Sequence, residues 1–198
     1  MKKALCILVL LCVFSTASLF AWQPSDLEKY PSCMTSENWI FNFGFSLGLR
    51  GLTYIGTDIY YIPPIRLSFD KNTPMGDKGL PFFFGGIVGY TGWGATGKYS
   101  HHHIPLGLRF GYHFNFGVDN LDVYAVASAG WKVYFMTGDK KYTNDKIYKR
   151  ANPINLAEDL FVGLNIGARY FVSDGFGFWA EAGYIGDLSI DIGLAFKL

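Results

Sequence analysis

Charged side chains in this chain often sit singly at alternate positions within apolar stretches. Arg50, Arg66, Arg109, Lys132 and Arg169 occur this way, and so do Asp122, Glu181 and Asp191. Opposite charges sharing one enclosed face can serve two ends. They can pair as an ionic plug, because an unpaired buried charge is costly. They can also form a charged ring that selects a solute. Counting from the nearest turn signals puts Arg66, Arg109, Arg169, Glu181 and Asp191 at similar depth, and these five are the candidate network.

Three other groups could do chemistry. Lys140, Lys141, Lys146, Lys149 and Arg150 are interleaved with Tyr142 and Tyr148. A basic–aromatic cluster of this kind can dock an acidic surface ligand, although a solvated loop has the same composition. His101, His102 and His103 offer imidazoles to a metal, yet no Cys or carboxylate at ligand spacing accompanies them, so no metal is expected. His113, Ser128 and Glu181 supply the residue types of a nucleophile, a base and an orienting acid. They match no catalytic motif. The expectation is a chain without catalytic residues or cofactor, in which His113 fills the interior.

The elements that carry these residues are strands. The last eleven residues read LSIDIGLAFKL, with Leu188, Ile190, Ile192, Leu194, Phe196 and Leu198 on one face and Ser189, Asp191, Gly193, Ala195 and Lys197 on the other. That is the two-residue period of a β-strand. Similar alternation predicts strands over residues 38–50, 59–69, 80–90, 104–115, 121–135, 159–172 and 176–185. The facing of the third is ambiguous, and Phe82, Phe84, Val88 and Tyr90 are taken as outward. Pro63 and Pro64 weaken the second strand, since neither can donate to a ladder. Residues 70–79, 117–120 and 173–175 read as turns, and 91–103 and 136–158 as long loops.

In each strand one face is large and apolar, while the other is small or polar rather than rich in Lys and Glu. A soluble barrel would have to hold all the Phe, Trp and Leu inside, and eight strands leave too little room. Turned inside out, the same strands suit lipid outside and small residues inside. Aromatics gather towards the strand ends, Trp39, Phe69, Phe114, Tyr170 and Phe196 at one rim and Tyr90, Trp93, Trp131, Phe135 and Tyr184 at the other, as head-group belts do. Gly at 24 residues and an aromatic share of 18% agree with this, since Gly averages about 7%.

Basic and acidic residues number 17 and 16, so nucleic acid is not an expected partner. Lys2 and Lys3, an apolar core over residues 4–14 and small residues up to Ala21 have the layout of a secretory signal peptide, cleaved after Ala21 or Ala17. The expected organisation is a signal peptide over 1–21, an irregular segment over 22–37 and a barrel over 38–198. Only Cys33 remains after cleavage, which excludes an internal disulfide. The fold class is all-β: an eight-stranded antiparallel transmembrane up-and-down β-barrel.

The terminal residues Asp191, Gly193, Phe196 and Leu198 resemble the C-terminal β-signal of outer-membrane barrels, with Leu198 where an aromatic residue usually stands. From residue 38 onward the chain resembles the small eight-stranded outer-membrane proteins, the OmpA transmembrane domain, OmpX and the OmpW family. The resemblance implies residence in the bacterial outer membrane, contact with its lipid, and assembly by the barrel machinery through the last strand. It also implies a narrow pore for small, even hydrophobic, solutes, or alternatively a non-conducting mount whose loops bind envelope or host ligands.

Overall fold

The structure is a computed structural model and describes residues 28–48, 59–138, 159–185 and 188–198. Eight strands follow one another: β1 (Trp39–Gly48), β2 (Ile59–Met75), β3 (Leu80–Ala95), β4 (Tyr99–Phe114), β5 (Leu121–Gly138), β6 (Leu160–Phe171), β7 (Phe176–Ile185) and β8 (Leu188–Lys197). Each pairs antiparallel with the next, and β8 returns to β1, with Phe45 opposite Ile192 and Phe41 opposite Phe196. Closure leaves no strand edge unpaired, which removes the usual hazard of an open sheet.

Alternation sets the two faces. Leu108, Val162, Leu164 and Ile166 are 75%, 65%, 68% and 66% exposed on the outside, whereas Arg109, Arg169, Glu181 and Asp191 are at most 2% exposed inside. Phe84 and Val88 are exposed, in keeping with the outward facing expected for β3. The barrel is therefore apolar outside and ionic inside, the reverse of a soluble globule.

Three connections at the end that holds both described termini are tight. Gly76 and Gly79 turn with φ of 72° and 65°, Gly117 and Asn120 with 68° and 65°, and residues 172–175 close the third. Only small or short polar residues take this left-handed backbone cheaply.

Two boundaries differ from the sequence reading. Residues 70–75 continue β2, leaving residues 76–79 as the turn. Residues 91–103 are not a loop. β3 runs to Ala95, a turn with Gly97 at φ 72° reverses the chain, and β4 starts at Tyr99. The physical reason is cross-strand ring packing. Trp93 lies opposite His101, with ring centroids 4.8 Å apart, so side-chain contacts extend the ladder through a stretch rich in turn formers. Pro63 and Pro64 fall in the register shift between Ile62 and Ile65, where a bulge spares the ladder two missing donors.

The interior also holds more bulk than the small-inside pattern suggests. Phe83, Tyr124, Phe171 and Trp179 are buried with Ile40 and Val126. Glycine makes their room. A Cβ on Gly111 would lie 2.2 Å from the Phe83 ring, and one on Gly167 2.3 Å from the Tyr124 ring. At these two positions the glycine is a recess filled by a neighbour's ring.

Candidate functional site

The barrel wall brings inward residues from seven strands into one network. Arg169 on β6 is its hub. Its Nε donates to Asn42 Oδ1 (3.0 Å), Nη1 to Asp122 Oδ2 (2.7 Å) and Nη2 to Asp70 Oδ2 (2.6 Å), while its guanidinium lies 4.1 Å from the Tyr124 ring centroid. Arg109 on β4 pairs through Nε with Asp70 Oδ1 (3.1 Å) and donates from Nη2 to Glu181 Oε2 (2.9 Å). Glu181 also accepts from Tyr124 Oη (2.9 Å) and Asn165 Nδ2 (2.6 Å), and Trp179 Nε1 donates to the Tyr124 hydroxyl (2.7 Å). Arg66 on β2 pairs with Asp191 on β8.

Register explains the convergence. Glu181 lies opposite Asp191, Asp122 opposite Arg169, and Arg169 opposite Trp179, so each carboxylate starts beside a neighbouring strand's polar or aromatic side chain. The charges are buried and paired with opposite charges, which is the condition for burying them, although Arg109 Nη1 and Asp191 Oδ1 have no hydrogen-bond partner among the described residues.

All five residues of the expected network, Arg66, Arg109, Arg169, Glu181 and Asp191, lie in this assembly. Asp70, Asn42, His113 and Tyr124 belong to it as well. Asp70 was read as the start of a turn, and only the extension of β2 turns it inward. Asn42 and His113 had the right parity in the sequence, but register alone shows which charges they meet. Arg50 lies outside the described residues, as do Lys140, Lys141, Tyr142, Lys146, Tyr148, Lys149 and Arg150. In the terminal signal, Asp191 and Gly193 face inward beside Ser46 and Gly44, Phe196 pairs with Phe41, and Leu198 exchanges backbone bonds with Trp39 (2.8 and 3.0 Å).

The three consecutive histidines do not converge. Parity places His101 and His103 on the lumen side with Trp93, whereas His102 points outward, accepting or donating at Tyr90 Oη (2.8 Å) and stacking on Phe135 (4.6 Å). Trp93 is accordingly not a member of the outer aromatic belt: it contacts both His101 and His103 inside. No cluster of three or more His, Cys, Asp or Glu able to hold a metal occurs among the described residues. His113 and Ser128 form no triad either. The His113 ring nitrogens meet Asp122 Oδ1 (2.6 Å) and Asn72 Oδ1 (3.0 Å).

Below the network, residues 28–38 cross the mouth at the terminal end. Two turns shape them, closed by Met34 N to Pro31 O (2.8 Å) and Asn38 N to Thr35 O (3.3 Å). Met34 is buried in the interior cluster, and Tyr30 Oη donates to Phe82 O (3.0 Å). Lys197 Nζ donates to Cys33 O (2.8 Å), and Asn115 Nδ2 to Tyr30 O (3.2 Å). Burial pushes the Tyr30 phenol up to about 12. Burial, helped by the Asp122 carboxylate and opposed by Lys197, pushes the Cys33 thiol up to about 11.

The fold is a closed eight-stranded antiparallel barrel. Among solved structures, the chain is similar to a de novo designed transmembrane β-barrel at 14% identity, covering 86% of this chain and 99% of that one, with a TM-score of 0.40. It is similar to the N-terminal β-barrel domain of Pseudomonas aeruginosa OprF at 12% identity, covering 83% and 98%, TM-score 0.44. It is also similar to the outer membrane enzyme PagL at 16% identity, covering 81% and 98%, TM-score 0.39. No protein-family model matches the chain, and no curated protein does.

Proposed function

We propose that this chain is an integral bacterial outer-membrane barrel that acts as a rigid, non-conducting mount, presenting the end opposite its termini to a surface ligand. The inverted polarity supports the membrane part of this reading. Leu47, Leu108, Val162, Leu164, Ile166 and Phe178 are each more than half exposed, on strands long enough to cross hydrocarbon at a tilt. Water would penalise such a surface, whereas lipid does not.

The packed lumen is the observation that favours a mount over a narrow pore. Arg109, Glu181, Tyr124 and Trp179 hydrogen-bond in series across the interior, Arg169 lies over the Tyr124 ring, and residues 28–38 cover one mouth. Conduction needs sites that an ion can enter and leave, and this network holds its charges with short, fully buried bonds. The far end is where β2–β5 are longest, at 16 to 18 residues against 10 to 12 for the other four strands. In sequence it leads into the stretch between β5 and β6 that carries Lys140, Lys141, Tyr142, Lys146, Tyr148, Lys149 and Arg150. An acidic glycan or lipid phosphate is the ligand class that this composition suits. On this reading the chain carries no catalytic role, holds no cofactor, is exported by its signal peptide and is assembled through β8.

Refolded protein in planar bilayers tests the reading. A heat-modifiable gel shift with an electrically silent bilayer is expected. Discrete single-channel openings that vanish when Glu181 is altered would overturn the mount and restore the pore.

A further inference from the structure

The most completely connected feature outside the proposed ligand end is the junction between residues 28–38 and the charge network. Asn72 on β2 spans it. Its Nδ2 donates to Thr35 O at 2.6 Å, which fixes the amide so that Oδ1 faces His113 Nε2 at 3.0 Å. The other ring nitrogen, Nδ1, faces Asp122 Oδ1 at 2.6 Å. The imidazole thus lies between two acceptor oxygens. The Tyr30 ring lies on the same imidazole, with centroids 5.6 Å apart.

We propose that residues 28–38 are a latch over the terminal mouth, held shut by the His113–Asn72–Thr35 relay, so that the state of the buried charge network is transmitted to the opening of that mouth. Residues 28–38 are also tied by Tyr30 Oη to Phe82 O (3.0 Å), Asn115 Nδ2 to Tyr30 O (3.2 Å) and Lys197 Nζ to Cys33 O (2.8 Å), and at exposed groups by Ser32 Oγ to Asp119 Oδ1 (3.2 Å), Lys71 Nζ to Glu37 O (2.7 Å) and the Glu28–Lys78 pair (2.9 Å). Exposed pairs of that kind contribute little. The latch also secures the seam where β8 meets β1, through Lys197 and Cys33.

Cys33 reports the latch. Docked, its thiol is half-buried and raised to about 11. Released, it returns towards its ordinary 9.0, which increases the reactive thiolate about 100-fold near neutral pH. The test uses the full chain with Cys6→Ser and Cys12→Ser, refolded into detergent micelles, and follows labelling of Cys33 by a disulfide reagent. In the parent, labelling is expected to be about 100-fold slower than in the urea-unfolded chain. Asn72→Leu should restore most of that rate while the gel shift persists. Parent labelling within threefold of the unfolded rate would overturn the latch without needing any variant to fold. An unchanged rate in a folded Asn72→Leu would overturn the relay. None of these readouts depends on whether the far end binds a ligand or the barrel conducts.

Discussion

Replacing Arg169 with methionine gives the sharpest test of the interior. Methionine keeps most of the side chain's length and apolar stem while removing the charge. Three charge-assisted bonds disappear, to Asn42, Asp122 and Asp70, along with the contact over Tyr124. At roughly 1.5–3 kcal/mol each, those bonds set an upper bound of about 5–9 kcal/mol. The true loss is smaller, because Asp70 keeps Arg109 and Asp122 keeps His113. Removing one partner of a buried pair typically costs about 3–5 kcal/mol, and that is the expected destabilisation. Urea unfolding in lipid vesicles, followed by tryptophan fluorescence, measures it. Adding Asp122→Asn to Arg169→Met removes the carboxylate that has lost its guanidinium partner and should recover about 1 kcal/mol or more, as a double-mutant cycle reads directly. A loss below about 1 kcal/mol for Arg169→Met, with no coupling to Asp122, would refute the view that these charges hold one another in place.

Other consequences follow from packing, lipid contact and the latch. Gly167→Ala should cost about 1–3 kcal/mol, because its methyl group would meet the Tyr124 ring and press that hydroxyl away from Glu181 and Trp179. Urea unfolding reads this, and a neutral substitution would mean that the recess is looser than described. Leu164→Arg on the outer face should cost about 2–4 kcal/mol in vesicles if it sits near the bilayer midplane. In a water-soluble barrel the same change would be neutral or would improve solubility. Because the Tyr30 phenol is raised from 10.0 to about 12, its contribution to latch docking is intact below about pH 10 and lost as pH rises through about 12. Phenolate absorbance should show one late-titrating tyrosine, removed by Tyr30→Phe. If every tyrosine titrates near 10, Tyr30 does not dock as described.

Much of this fold is written in two-residue alternation. β1, β4, β6 and β8 announce both faces, since a large apolar residue follows a Gly, Asn, Arg or Asp at nearly every step. The far-end extensions of β3 and β4 were not legible, because Thr, Gly, Lys and Ser normally mark turns and the pairing of Trp93 with His101 is visible only once register is known. The charge network was half legible. Parity assigned Arg66, Arg109, Arg169, Glu181 and Asp191 to the lumen, but the sequence does not say which meets which. That depends on stagger between strands, and a one-residue slip would invert every face. Asp70 was lost to a turn reading, and Trp179 was hidden because Gly44, which yields it space, lies far away in the chain. A Cβ on Gly44 would come within 2.8 Å of that indole.

Lipid contact by the apolar outer face is the claim on which the rest depends. Nitroxide labels at Leu164 and Ile166, with Ser173 in the turn as a water-exposed reference, measure it in a cysteine-free background reconstituted into vesicles. The account predicts that labels at 164 and 166 collide readily with dissolved oxygen and barely with a water-soluble nickel chelate, while the label at 173 does the opposite. Free collision of the nickel chelate with labels at 164 and 166 would contradict it and make this a soluble barrel.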